Sequence, residues 1–345
     1  MSLSDGYVVL KCRAVGSQTE REDDESPHYQ VHVKDDQHQY RIAINVKSVQ
    51  EPYDLLYFVD DNFKHPITER LEELAFGLHK VKESDRKAGG ITLDYIRGNL
   101  FEVTKMKPLP ANKPGLDDDL NDLIDLFIQR AIKSNDKAVL YAFGEPWGPD
   151  ESKVEKIFKF RPDQGVHNIH MNQGSSGKFG KENGVYQDGG LLIHFPDRNQ
   201  WVAGFFAFQS QAFHTDDTTG NPLDVPGPSP DKDVPQVDGT VRIVAALVNP
   251  PGDDVGKESV TLINASPDTV DLNGWALADQ LKRKHLLKGI SLKPGAVVTV
   301  PLTGQDIQLG NNGGIITLLD SKGIKIDGVS YTKDAVRKQG WTIVF

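Results

Sequence analysis

Four of the ten histidines, His167, His170, His194 and His214, stand in one short window with Asn172, Gln173, Asp188, Gln209, Gln211 and Asp216. They fall in three runs: Gly165-Val-His-Asn-Ile-His-Met-Asn-Gln-Gly174, Tyr186-Gln-Asp-Gly-Gly-Leu-Leu-Ile-His194 and Phe208-Gln-Ser-Gln-Ala-Phe-His-Thr-Asp-Asp217. Imidazoles and a carboxylate around an open position suit a divalent metal such as zinc or manganese. His167, His170, His194, His214 and Asp216 are the candidate ligands. A metal-bound water is a hydrolytic nucleophile, and His170, His194, His214 or Asp216 could supply catalytic acid or base. Asn172, Gln173, Asp188, Gln209 and Gln211 are candidate ligand contacts. Two histidines could also run a metal-free phosphodiester transfer as acid and base. A buried hydrogen-bond network that locks loops together needs the same residue types. The spacing matches no standard zinc motif such as His-Glu-x-x-His.

The elements that must position these groups are strands. In an extended run over 166–172, Asn168, His170 and Asn172 share one face, and His167, Ile169 and Met171 share the other. In the second run Leu192 and His194 face one way; in the third Phe205, Ala207, Gln209 and Gln211 do. If the three strands are neighbours, His170, His194 and His214 converge with Asp216.

Upstream, Tyr7-Val-Val-Leu-Lys-Cys reads as a strand. His28-Tyr-Gln-Val-His-Val and Tyr40-Arg-Ile-Ala-Ile-Asn-Val read as a hairpin about the turn at Asp35-Asp36, a start that suits a small barrel or sandwich. Leu71, Leu74 and Leu78 predict a helix from Thr68 to Leu78. A second helix is expected where Asp117-Asp118-Asp119 precedes Leu120, Leu123, Ile124, Phe127, Ile128 and Ala131. Ala138-Val-Leu-Tyr-Ala-Phe predicts a buried strand, and Glu145-Pro-Trp-Gly-Pro a rigid turn after it.

Length and composition set the limits. The chain has 345 residues, enough for two cores, with 32 Gly and 20 Pro favouring a turn-rich β protein. The formal charge of −10 argues against general affinity for nucleic acid. Cys12 is the only cysteine, which rules out an intramolecular disulfide. With no leader pattern and no long apolar run, the expectation is a cytoplasmic protein without a membrane span.

Positions 221–240 are Pro-rich and lack an apolar period, so they read as a linker between a domain at 1–220 and another at 241–345. Beyond it, short strands punctuated by Gly, Asn and Pro predict a β-sandwich. The fold expected is mainly β with a few helices, an α+β N-terminal domain followed by an immunoglobulin-like sandwich. Lys282-Arg-Lys-His-Leu-Leu-Lys is a basic cluster that reads as a solvated loop or a contact patch.

Glu258-Ser-Val-Thr-Leu-Ile-Asn, Val270-Asp-Leu-Asn-Gly-Trp275, Leu292-Lys-Pro-Gly295, Asn312-Gly-Gly and Val329-Ser-Tyr-Thr332 carry a resemblance to the lamin tail domain. This implies an interaction module with a possible protein partner, of a kind often joined in bacteria to hydrolases and nucleases. The first 220 residues resemble the YukJ-like family of bacterial and fungal proteins, a domain of unknown function (family 2278). The matching motifs are Leu93-Asp-Tyr-Ile-Arg-Gly-Asn-Leu100, Asp119-Leu-Asn-Asp-Leu, His167-Asn-Ile-His-Met-Asn-Gln-Gly, Gln187-Asp-Gly-Gly-Leu and Phe208-Gln-Ser-Gln. That family brings no established activity. The function expected is a metal-dependent hydrolase acting on a phosphodiester; the alternative is a two-module binding or scaffold protein without catalysis.

Overall fold

The computed structural model describes residues 7–20, 28–46, 55–81, 91, 93, 98–102, 105–108, 120–168, 189–208 and 239–345. They hold two α-helices and many strands, in two compact units. The first unit takes 1–63, 71–82 and 106–211; the second takes 64–70, 83–105 and 212–345.

In the first unit the strands are β1 (Val8–Thr19), β2 (His28–Lys34), β3 (Gln39–Asn45), β4 (Leu55–Asp60), β5 (Gly77–Lys80), β6 (Lys107–Pro108), β7 (Val139–Asp150), β8 (Asp163–His167), β9 (Gly189–Phe195) and β10 (Gln200–Phe208). They form one sheet in the order β5-β1-β2-β3-β8-β7-β9-β10-β4-β6. An additional β1–β7 pairing closes β1-β2-β3-β8-β7 into a five-stranded ring. Strand alternation turns Leu10, Cys12, Tyr29, Val31, Ile42, Ile44, Leu140 and Val166 into one core. Helix α2 (Leu120–Ile132) adds Leu120, Ile124, Ile128 and Ala131 to that core, as the 3.6-residue spacing predicts. Asp117–Asp119, expected to open this helix, lie outside the described residues.

Two elements differ from expectation. The first helix, α1 (Ile67–Glu72), is shorter, and Leu78 belongs to β5, paired with Leu10. Lys11 donates to the carbonyls of Glu72 (2.8 Å) and Leu74 (2.7 Å), satisfying the helix's C-terminal acceptors, and Gly77 turns away at φ +118°. Glu145-Pro-Trp-Gly-Pro is a continuation of β7, with Glu145 opposite His167 and Trp147 opposite Gly165. The pairing with β8 outweighs the local turn chemistry of the prolines.

The second unit contains β11 (Val241–Leu247), β12 (Ser259–Asn264), β13 (Val270–Asp271), β14 (Ala276–Ala278), β15 (Lys284–Leu286), β16 (Ser291–Leu292), β17 (Val297–Pro301), β18 (Gly313–Leu319), β19 (Lys325–Thr332) and β20 (Ile343–Val344). The sheets β17-β12-β11-β20 and β15-β14-β18-β19 enclose a core of Ile243, Val260, Leu262, Leu277, Ile316 and Leu318, with β13-β16 as a short third pair. Asn99 also belongs to this unit. Its side-chain amide donates to Ile316 O (3.1 Å) and Thr317 Oγ1 (3.0 Å), while Glu102 pairs with Arg242 at 3.0 Å. The division by contact therefore differs from a single cut at the linker, because 98–102 cluster with the sandwich. Among the described residues, no helix is long and apolar enough to cross a membrane.

Candidate functional site

His167 ends β8 on the outward face of the ring, since its neighbour Val166 points into the core. Across the sheet stands His28, the first residue of β2. The two Nε2 atoms approach to 2.9 Å, with the rings edge to face at 5.0 Å between centroids. Behind His28, its Nδ1 meets Glu20 Oε2 at 3.2 Å, and the same oxygen accepts the His28 backbone N–H at 3.0 Å. A carboxylate at Nδ1 holds the proton there and leaves the Nε2 lone pair directed at His167. Burial lowers the His28 pKa; Glu20 opposes the shift, while Arg41 and Lys156 add to it. Burial alone would raise Glu20, yet the bonds from His28 and Gln30 bring its carboxyl below the ordinary value.

The surrounding face is polar but engaged. Gln30 donates to Glu20 (2.8 Å) and accepts from Arg41 (2.6 Å), whose Nε lies 2.6 Å from the fully buried Glu155 carboxylate. The other Glu155 oxygen caps the N–H groups of Ile157 and Phe158. Arg41 also stacks over Trp147 at 4.6 Å, and Trp147 donates to Asp163 at 3.1 Å. His32 stacks on Phe158 and Phe160. The loop 151–162 thus covers this side of the sheet.

β8 and β9 follow one another along the same edge of β7: positions 150 to 145 pair with β8, and positions 143 to 139 with β9. They meet at Asn168 and Gly189, so close that a Cβ on Gly189 would fall 1.5 Å from Asn168 O. Asn168 is fixed there by its N–H to Ala43 O and its Oδ1 to Asn45 N, both at 3.0 Å. The intervening sequence holds His170, Asn172, Gln173 and Asp188. These four, and Gln209, Gln211, His214 and Asp216, lie outside the described residues.

His194 stands elsewhere. It pairs with Val139, six positions along β7 from Glu145, the partner of His167. At roughly 3.3 Å per residue this separates the two histidines by about 20 Å. A single ion held at about 2 Å from each ligand cannot take both, so His167 and His194 do not share one metal centre. His194 stacks on Trp201 (4.5 Å, 6° between planes), and its Nδ1 lies 3.3 Å from Glu72. Burial lowers its pKa; Glu72 opposes the shift and Lys11 adds to it. Among the described residues, no group of three His, Cys, Asp or Glu side chains is arranged to hold a metal.

The partners that the window of histidines did not reveal are His28, Glu20, Arg41 and Glu155. His28, Gln30 and His32 alternate as polar positions on one strand face, which marks the face. The strand that meets it comes 139 residues later, and no local pattern carries that pairing.

Two family models match the chain. The lamin tail domain matches residues 235–333, and an uncharacterised conserved protein family, DUF2278, matches residues 1–220. The uncharacterised protein YukJ of Bacillus subtilis (strain 168) is 42% identical over 220 residues, covering 63% of this chain and 93% of that protein. With the first 220 residues matched throughout and a lamin tail domain following them, the chain belongs to the DUF2278 family.

Proposed function

We propose that the chain is a metal-dependent hydrolase of the phosphodiesterase or nuclease type, with the lamin tail domain as its interaction module. One observation supports this reading: the Nε2 atoms of His28 and His167 converge at 2.9 Å on the outward face of the ring. A zinc or manganese ion would be held by the imidazoles of His28 and His167, with Glu20 orienting His28 from its Nδ1 side. Bound there, the ion would supply an activated water at neutral pH. His170 follows His167 closely enough in the chain to be a further ligand candidate.

The test is metal content and hydrolysis of bis(4-nitrophenyl) phosphate, comparing wild type with the His28→Ala, His167→Ala double variant. About one zinc or manganese per chain, lost with the activity in a folded variant, is the expected result. Absence of both metal and turnover in the wild type after incubation with either ion would sink the proposal. A second reading is a structural network in a non-catalytic binding protein, favoured by the way Gln30, Arg41 and Glu155 spend their polar atoms on one another. Under that reading His28→Ala costs about 1–3 kcal/mol in stability and leaves metal content unchanged.

A further inference from the structure

A cleft of about 530 Å³ lies in the first unit between the C-terminal turn of α2 and the 3-10 turn Pro196–Arg198 that joins β9 to β10. Its walls include Arg130, Lys133 and Lys137 from the end of the helix and Arg198 from the turn. Two carboxylates also line it, and both are engaged. Asp197 pairs with Lys137 at 3.1 Å, and Asp125 accepts from Tyr29 (2.5 Å) and Gln129 (3.1 Å). Among the described residues, no carboxylate pairs with Arg130, Lys133 or Arg198.

Cations at a helix C-terminus complement its dipole, which accounts for Lys133 and part of Arg130. It does not account for Arg198, which comes from another element and lies near enough to oppose the charge on Arg130, after burial itself. Nor does it explain why Arg130 is held so firmly. Its guanidinium lies over the Phe195 ring at 3.8 Å and donates to Gln200 Oε1 at 2.6 Å, and Gln200 is in turn fixed by Asp61 O at 2.6 Å. Two like charges from separate elements, one of them immobilised, are an arrangement that an anion between them would stabilise. The guanidinium fork suits the oxygens of a phosphate. A cleft of this volume holds a small molecule.

We propose that this cleft binds a phosphorylated small molecule, its phosphate taken by Arg130 and Arg198 with Lys133 alongside. The site is independent of the His28–His167 reading, because Phe195 belongs to the opposite face of β9 from His194 and lies at the far end of β7 from His167.

The test is calorimetry at low salt with adenosine 5′-monophosphate, adenosine and a short single-stranded oligonucleotide. The monophosphate is expected to bind, and adenosine to bind at least tenfold more weakly. Arg198→Gln, an exposed turn position, should weaken the monophosphate about tenfold, or about 1.4 kcal/mol. Arg130→Gln, Arg198→Gln should abolish binding. Should the double variant fail to fold, Arg198→Glu carries the same test from the surface. Failure of the monophosphate to bind at millimolar concentration would overturn the proposal, as would binding insensitive to Arg198. An oligonucleotide bound more tightly through the same arginines would replace the small molecule with a nucleic-acid strand.

Discussion

Two buried carboxylates meet opposite conditions. Glu155, fully buried, has Arg41 within 2.6 Å and two backbone N–H donors. Arg41→Ala leaves that charge without its counter-ion, so the stability of the first unit should fall by about 3–5 kcal/mol, read as a shift in the urea midpoint. Among the described residues, Glu258 has no such counter-ion in contact. Burial raises its pKa to about 7; the Leu309 N–H at 3.0 Å and Arg283 oppose the shift, while Asp254 and Asp279 add to it. A folded-state pKa above the unfolded one means that the folded state binds the proton more tightly. The contribution to stability is therefore fully present below about pH 4.5 and is lost as pH rises through about 7. Glu258→Gln should remove this dependence, leaving the sandwich about 2–3 kcal/mol more stable relative to wild type at pH 8 than at pH 4. A denaturation series from pH 4 to 8 reads the difference; parallel curves would contradict it. At this scale the candidate site was only half legible. His167 announces itself by its neighbours in the chain, but Glu20 and His28 acquire meaning only through a parallel β3–β8 pairing that brings distant strands into register.

Elements were legible where their own period decides them. α2 follows its apolar spacing, and β2 and β3 form the hairpin about the Asp35 turn, where Asp35 accepts the N–H groups of Gln37 and His38. The misreadings have one cause: a partner strand or side chain overrides local preference. Leu78 looks helical until β5 pairs with β1, and Pro146 looks like a turn until β7 pairs with β8. The junction of β8 and β9 makes this dependence testable. Gly144, Gly165 and Gly189 leave room for backbone atoms of a neighbouring strand, and at Gly189 an added Cβ would stand 1.5 Å from Asn168 O. Gly189→Ala must push the start of β9 away from Asn168 at the end of β8. A loss of more than about 3 kcal/mol in stability is expected, well above the usual cost of a surface substitution. A thermal melt at or above the wild-type midpoint would show that the junction is looser than this contact implies.

At the scale of the molecule, the sequence families divide the chain near the Pro-rich linker, whereas the contacts do not. Residues 64–70 and 98–102 belong to the stretch matched by DUF2278 and yet pack in the second unit. There His65, buried, donates from Nε2 to Gly98 O (2.8 Å) and accepts the Ile67 N–H on Nδ1 (3.0 Å); burial holds its pKa near 4, so it stays neutral. Asn99 sits against Gly328, where an added Cβ would fall 2.3 Å from its Oδ1, and spends its amide on β18. A buried amide that serves backbone and side-chain acceptors at once cannot be removed without stranding them. Asn99→Ala in the full chain should therefore lower the stability of the sandwich by about 1–3 kcal/mol, followed through the tryptophans Trp275 and Trp341. A fragment of residues 239–345 keeps the hydrophobic core of Leu262, Leu277 and Leu318 and should fold, but with at least the same deficit, because it lacks both Asn99 and the Glu102 partner of Arg242. If the fragment proved as stable as the sandwich in the full chain, residues 98–102 would contribute nothing to it, and the division of stability would follow the linker after all.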